Sequence, residues 1–245
     1  MKRILLLCSA LVLFGVKASA QKDKPWTEWS QKEAMKVLAD SAWAQSQSEF
    51  TEQNAGTTIT PTESRNAVDL KNASKTESGE SLGKKDAALS TIYHVGFLTS
   101  KPVRAALVRL IELRQPETPA ATVAERRAFV DRDFGDLIVV SLVLEGNDQN
   151  KVKPGNKFLE SANPETFKDV VYLERKDGKR VSLTDYKPPR PDGMGAKFIF
   201  PRTLDGKPFL DANSGEVRVY MEINKTRLSR KFKVADMMYD GKLEY

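Results

Sequence analysis

Asp136-Leu137-Ile138-Val139-Val140-Ser141-Leu142-Val143-Leu144-Glu145 is the stretch that decides the fold. Seven of the eight residues from Leu137 to Leu144 are large aliphatics, with β-branched Val and Ile prominent. A run this short and this apolar reads as a strand covered on both faces, the middle of a core. Everything after it can wrap around as half-buried strands, and the segments before it supply helices.

Upstream, Ser100 precedes Pro102, and Val103, Ala106, Leu107, Leu110 and Ile111 fall on one helical face before Pro116 stops the pattern. Thr122-Val123-Ala124-Glu125 has the form of a capping box opening a second helix, to about Phe134. Ahead of both, Thr91–Leu98 alternates like a strand. Downstream of Gly146 the expectation is β throughout. Asp169–Lys176 and Lys179–Tyr186 flank the hairpin signal Asp177-Gly178. The Pro/Gly-rich stretch Lys187–Gly195 connects to a strand at Ala196–Pro201. Glu216–Asn224 and Leu228–Val234 alternate with period two. The predicted class is therefore α+β: a mainly antiparallel β-sandwich, immunoglobulin-like in one form, with two helices inserted before the central strand. The alternative is a mixed sheet in which 91–98 and 136–145 pair across those helices.

The chain opens with Lys2 and Arg3, an apolar run Ile4–Val16, and Ala18-Ser19-Ala20 before Gln21. This is the anatomy of a secretory signal peptide over residues 1–20, and it predicts a periplasmic or extracellular protein. Cys8 comes too early for a lipid-attachment box. Nothing later approaches the ~20 apolar residues of a transmembrane helix. Cleavage after Ala20 removes Lys2, Arg3 and Lys17, lowering the formal charge from +6 to +3. The basic balance then argues weakly for a nucleic-acid partner, and none is expected. The sole cysteine also leaves, so no disulfide or thiolate metal site can form.

Residues 21–45 hold all three tryptophans, Trp26, Trp29 and Trp43. Ser30-Gln31-Lys32-Glu33 is a capping box, and Ala34, Met35, Leu38 and Ala42 share a face, predicting a helix over Gln31–Gln45. Residues 46–90 contain thirteen Ser or Thr and only six scattered large apolar residues, which predicts a mobile linker with room for a short edge strand. Residues 91–245 form the main α+β region.

Trp29-Ser30-Gln31-Lys32-Glu33-Ala34, Leu38 and Asp40-Ser41-Ala42-Trp43-Ala44 resemble the opening motif of a group of exported bacterial proteins, acidobacterial in type. A proline often stands in that motif where this chain has Ala42. Ser100–Ala106 and the ending Asp236–Tyr245 are similar less specifically. The resemblance implies export and an N-terminal helix ahead of a second region. It implies no activity.

Several chemical signals dissolve on inspection. Gly79-Glu80-Ser81-Leu82-Gly83 has the G-x-S-x-G spacing, but no strand precedes it and His94, the only available base, follows just thirteen residues after Ser81. Lys84 and Lys85 do not complete a phosphate loop. His94, the only histidine, reads as a hydrogen-bonded residue at a sheet margin, and one histidine without cysteine excludes the common zinc sites. Asp131, Asp133 and Asp136 lack the EF-hand glycine and glutamate and read as a helix end leading into the strand. No cofactor is called for.

Two candidate binding features remain. Trp26, Trp29 and Trp43 either pack the helix onto the sandwich or offer an aromatic surface to glycan or protein. Lys225, Arg227, Arg230, Lys231 and Lys233 form a basic ribbon, with Lys231 and Lys233 facing outward beside Ser229. Such a ribbon is either a solvated strand face or a contact for an acidic envelope polymer or lipid headgroup. The function expected is a non-enzymatic binding or structural protein of the cell envelope. The alternative is an envelope-polymer hydrolase using a carboxylate pair.

Overall fold

The computed structural model describes residues 24–51 and 88–245. The Gly79–Gly83 motif, Lys84, Lys85 and the predicted leader lie outside the described residues. Central strand β3 (Leu137–Gly146) pairs with β2 (Leu89–Phe97) on one side and β7 (Ala196–Pro201) on the other. With β1 (Ala44–Thr51) and β6 (Asp185–Lys187) at the margins, these form a five-stranded sheet, β1-β2-β3-β7-β6. A four-stranded sheet, β11-β10-β4-β5, is built from β4 (Val171–Arg175), β5 (Arg180–Ser182), β10 (Glu216–Ile223) and β11 (Thr226–Lys233), while β8 (Thr203–Leu204) and β9 (Lys207–Pro208) form a separate two-stranded ribbon. Every ladder in both sheets is antiparallel. The sandwich and the β2–β3 pairing across two helices are thus both present, but the sheet is not mixed.

The composition of β3 explains its place. Ile138, Val140, Leu142 and Leu144 enter the main core between the sheets, beside Phe97, Phe198, Leu173, Val217, Val219 and Phe232. Phe97 and Phe232 meet edge to face across the two sheets, ring centres 5.1 Å apart. Val139 points the other way, into a second cluster with Ala44, Leu98 and Val103 beneath the helices. A strand buried on both faces has no solvent side to mark with polar residues.

The helical layer comprises α1 (Gln31–Ala39), α2 (Lys101–Arg114) and α3 (Ala120–Val130). In α1 the capping box forms: Ser30 Oγ accepts from Glu33 N at 3.3 Å, and Glu33 accepts from Ser30 N at 2.6 Å. The helix is shorter than the Gln31–Gln45 expected. Ser41 Oγ donates to Val37 O at 2.7 Å and accepts from the amides of Trp43 and Ala44 at 3.1 Å each. That turn satisfies the helix end and launches β1, so Trp43 and Gln45 are not helical, and 46–51 form the edge strand rather than linker.

Two further expectations need correction. Helix α3 starts at Ala120 behind Pro119, which puts Thr122 inside it, so the Thr122–Glu125 capping box does not form and the helix ends at Val130. The stretch after Gly146 is not wholly β: α4 (Gln149–Ser161) and α5 (Pro164–Phe167) intervene. Asp148 caps α4, and Val152, Gly155 and Leu159 are its buried stripe. Pro154-Gly155 masks that stripe in the sequence. Gly155 is there for closeness, since a Cβ would lie 2.3 Å from Leu144 Cδ2. The Asp177-Gly178 hairpin forms, but its second arm divides into β5 in one sheet and β6 in the other.

Long-range polar contacts lock the helices to the sheet. Ser100 does not cap α2 with its side chain; its hydroxyl donates to Phe97 O at 2.7 Å. Glu244 takes over, accepting from Lys101 N at 2.9 Å. Buried Arg104 donates from Nε to Val130 O at 3.0 Å and from Nη1 to Leu98 O at 3.2 Å and to Thr99 O. Burial pushes its guanidinium down from the ordinary value, while Glu244 and Asp131 pull the other way. The C-terminal ribbon of β12 (Met238–Tyr239) and β13 (Lys242–Leu243) stacks Tyr239 edge-on against Trp43 at 6.1 Å. Residues 29–44, 100–106 and 236–245, distant in sequence, therefore meet around the start of α2.

Candidate functional site: the open face of the four-stranded sheet

The predicted binding residues separate. Trp29 is buried (2 % exposed) among Ala34, Val37, Ala105 and Ala106, and its Nε1 donates to Lys24 O at 3.3 Å. Trp26 is half-buried in the same cluster, with Arg127 over its ring at 5.9 Å. Trp43 belongs elsewhere, donating from Nε1 to Met237 O at 3.4 Å. The tryptophans are not brought into one aromatic surface; each fastens the N-terminal segment to a neighbour.

Lys231 and Lys233 are exposed on β11, with Ser229 and Arg227 beside them on the same outward face. Arg230 departs from the expected ribbon. It points to the inner margin, half-buried, with Nε donating to Gln45 Oε1 at 3.2 Å. Period two forces this, since Leu228 and Phe232 on either side of it face the core.

The antiparallel register assembles the rest. Ser182, Tyr172, Tyr220 and Ser229 form one row across the four strands; Arg180, Glu174, Arg218 and Lys231 form the next. Tyr172 and Tyr220 stack at 4.8 Å and 18°, and Arg180 lies over Tyr172 at 4.3 Å. Glu174 accepts from Arg180 Nε at 2.9 Å and from Arg218. Desolvation works against ionisation of Glu174, yet the two arginines outweigh it and hold its carboxyl below the usual range. Tyr220 donates its hydroxyl proton to Glu222, whose carboxylate pushes the phenol up. Arg227 pairs with Glu222 at 3.2 Å. The face is thus a plane of interlocked aromatics and ion pairs. Lys231 and Lys233, at its β11 margin, form no ion pair among the described residues. Sequence reasoning found the lysines but missed Tyr172, Tyr220, Glu174 and Arg218; their outward placement on alternating strands was the available signal.

The helix-side face of the other sheet holds a second polar group. His94 Nδ1 lies 2.7 Å from Ser46 Oγ, and Nε2 lies 3.0 Å from Glu145 Oε1. These are the residue types of a serine-hydrolase triad, but Ser46 sits mid-strand, not at a strand-to-helix elbow. Its hydroxyl also reaches Ala39 O at 3.0 Å, so the proton that a nucleophile would pass to His94 has a competing backbone acceptor. The chain ties β1, β2, β3 and the end of α1 together.

The predicted acidic cluster disperses. Asp131 pairs with Lys101 at 2.7 Å, Asp133 accepts from Gly135 N at 2.8 Å, and no metal-holding group of carboxylates or histidine occurs among the described residues. Two shallow depressions border α3. One, of about 560 Å³, contains Glu117; the other, of about 250 Å³, is lined by Leu107, Ile111, Phe129 and Met194 with Glu125. Each holds one carboxylate, not two. No helix among the described residues is long and apolar enough to cross a membrane. Compared with known protein families, with curated proteins and with solved structures, the chain has no match in any of the three.

Proposed function

We propose that this chain is an exported, non-enzymatic binding protein of the cell envelope, and that its working surface is the open face of the four-stranded sheet. The observation that carries this reading is the preorganised row Arg180–Tyr172–Tyr220 with Glu174 clamped between Arg180 and Arg218. Side chains already fixed by one another lose little rotamer freedom when a ligand settles on them. Export is supported by the leader-like residues 1–20 and by the resemblance carried by Trp29–Ala44. The tryptophans serve to hold the N-terminal segment in place.

The test uses the lack of cysteine after Cys8. In the chain from Gln21 onward, Ser229→Cys places a unique thiol on the proposed face for an environment-sensitive fluorophore. Leu113→Cys, at an exposed site on α2, is the control. Solubilised envelope material should shift emission from the label at 229 and leave that at 113 unchanged. The reverse pattern, or silence at 229, overturns the reading.

A further inference from the structure

We infer that the ligand of this face is a linear acidic polysaccharide lying along β11, an inference that rests on the reading above. The outward residues of the four strands include five cations, Arg180, Arg218, Arg227, Lys231 and Lys233, against three carboxylates, Glu174, Glu216 and Glu222. Glu174 and Glu222 are engaged by Arg180, Arg218 and Arg227. Glu216 stands opposite Lys233 in the register, on the neighbouring strand. The surplus is concentrated on β11 and continues at exposed Lys225 in the turn before it.

The strand facing β11 across the open side of the sandwich neutralises little of this surplus, since its one carboxylate, Glu49, is paired with Lys151 at 3.5 Å. There β1 presents amides: Gln45 Nε2 donates to Lys231 O at 2.7 Å, and Gln47 Nε2 donates to Arg227 O at 3.2 Å. These bonds occupy part of the free edge of β11, so a ligand there meets side chains rather than adding a strand. Alternate residues on one strand face stand about 7 Å apart, so Arg227, Ser229, Lys231 and Lys233 form a straight track that a polymer with repeating carboxylates can follow. Ser229 offers a hydroxyl to sugar oxygens, and the phenol oxygen of Tyr220 beside it, its proton given to Glu222, can accept from a sugar hydroxyl. A lipid surface fits poorly, because among the described residues the exposed large apolar side chains, Met35, Phe50, Leu113, Leu137 and Met238, all lie off this face.

Binding of the chain from Gln21 onward to polygalacturonate, neutral dextran and phosphatidylglycerol vesicles tests the inference. Polygalacturonate should bind, weakening as salt rises, while dextran and vesicles should not. K231E/K233E should weaken polymer binding about tenfold or more, with K231Q/K233Q intermediate and K153E/K157E on α4 unchanged. Equal binding by K231E/K233E, preference for vesicles, or no binding of polygalacturonate overturns it. The two readings fail separately. If the label at 229 responds to envelope material and K231E/K233E keeps that response, the face stands and the polyanion falls. If the label is silent, both fall.

Discussion

The two sheets turn very different outer faces to their surroundings. Above the five-stranded sheet, α1, α2 and α3 bury Val139, Leu98, Val103 and Ala44, and Arg104 stitches helices to strands. Among the described residues nothing is layered outside the four-stranded sheet, and Tyr172, Tyr220, Arg180, Arg218 and Glu174 hold one another. One face is fixed by burial, the other by surface pairing. Burial contributes far more to stability than exposed ion pairs do. Substitutions should therefore be felt as lost stability on the first face and as lost binding on the second.

The largest effect is expected where the two sheets meet. Phe232→Ala should cost about 3–5 kcal/mol, because it empties a fully buried site and removes the edge contact to Phe97. Ser229→Ala on the same strand, facing outward, should stay within about 0.5 kcal/mol in the same denaturant titration. Similar losses from the two would erase the distinction between the faces of β11.

Next comes Arg104→Met, which keeps much of the volume and leaves Val130 O, Leu98 O and Thr99 O without their shared donor. A loss of about 3 kcal/mol is expected. Arg218→Ala, which breaks an exposed pair, should lose less than about 1 kcal/mol while diminishing the response to envelope material.

The smallest effect concerns the cap of α1. Glu33 is held down to about 2, against a usual 4.5, by the Ser30 backbone amide, the Ser30 hydroxyl and Lys24. A carboxyl depressed on folding contributes stability above its unfolded value and loses it as pH falls toward the folded one. The cap should therefore weaken between about pH 4.5 and 2. Tryptophan emission followed over that window should change in the wild type more than in Glu33→Gln, since Trp26 and Trp29 pack beside the helix. Identical profiles would remove Glu33 from the account.

How much could be read in advance follows the same division. The strand at Ala196–Pro201 shows its bounds in the sequence, and β10 and β11 show their inward residues, because one wet face imposes strict alternation. The double burial of β3 shows as an unbroken aliphatic run. What stayed hidden depends on single side-chain bonds that no periodicity marks, or on partners remote in sequence. The early end of α1 depends on the Ser41 hydroxyl bonding back to Val37 O, which competes with an apolar pattern continuing to Ala42. Helix α4 carries a proline in its middle, and only contact with Leu144 explains Gly155. On the candidate face, Lys231 and Lys233 were legible as alternating cations. The Tyr172–Tyr220 stack was not, because it exists only once β4 and β10 are in register. The Ser46–His94–Glu145 chain was hidden for the same reason: its members come from three strands.

The most direct test of the working surface is a lysine-acetylation footprint, read by mass spectrometry with and without solubilised envelope material. The account predicts protection of Lys225, Lys231 and Lys233. It predicts no change at Lys32 and Lys36 on α1 or at Lys153 and Lys157 on α4, which are equally open to the reagent when no ligand is present. Protection confined to the helices, with β11 unaltered, would contradict it.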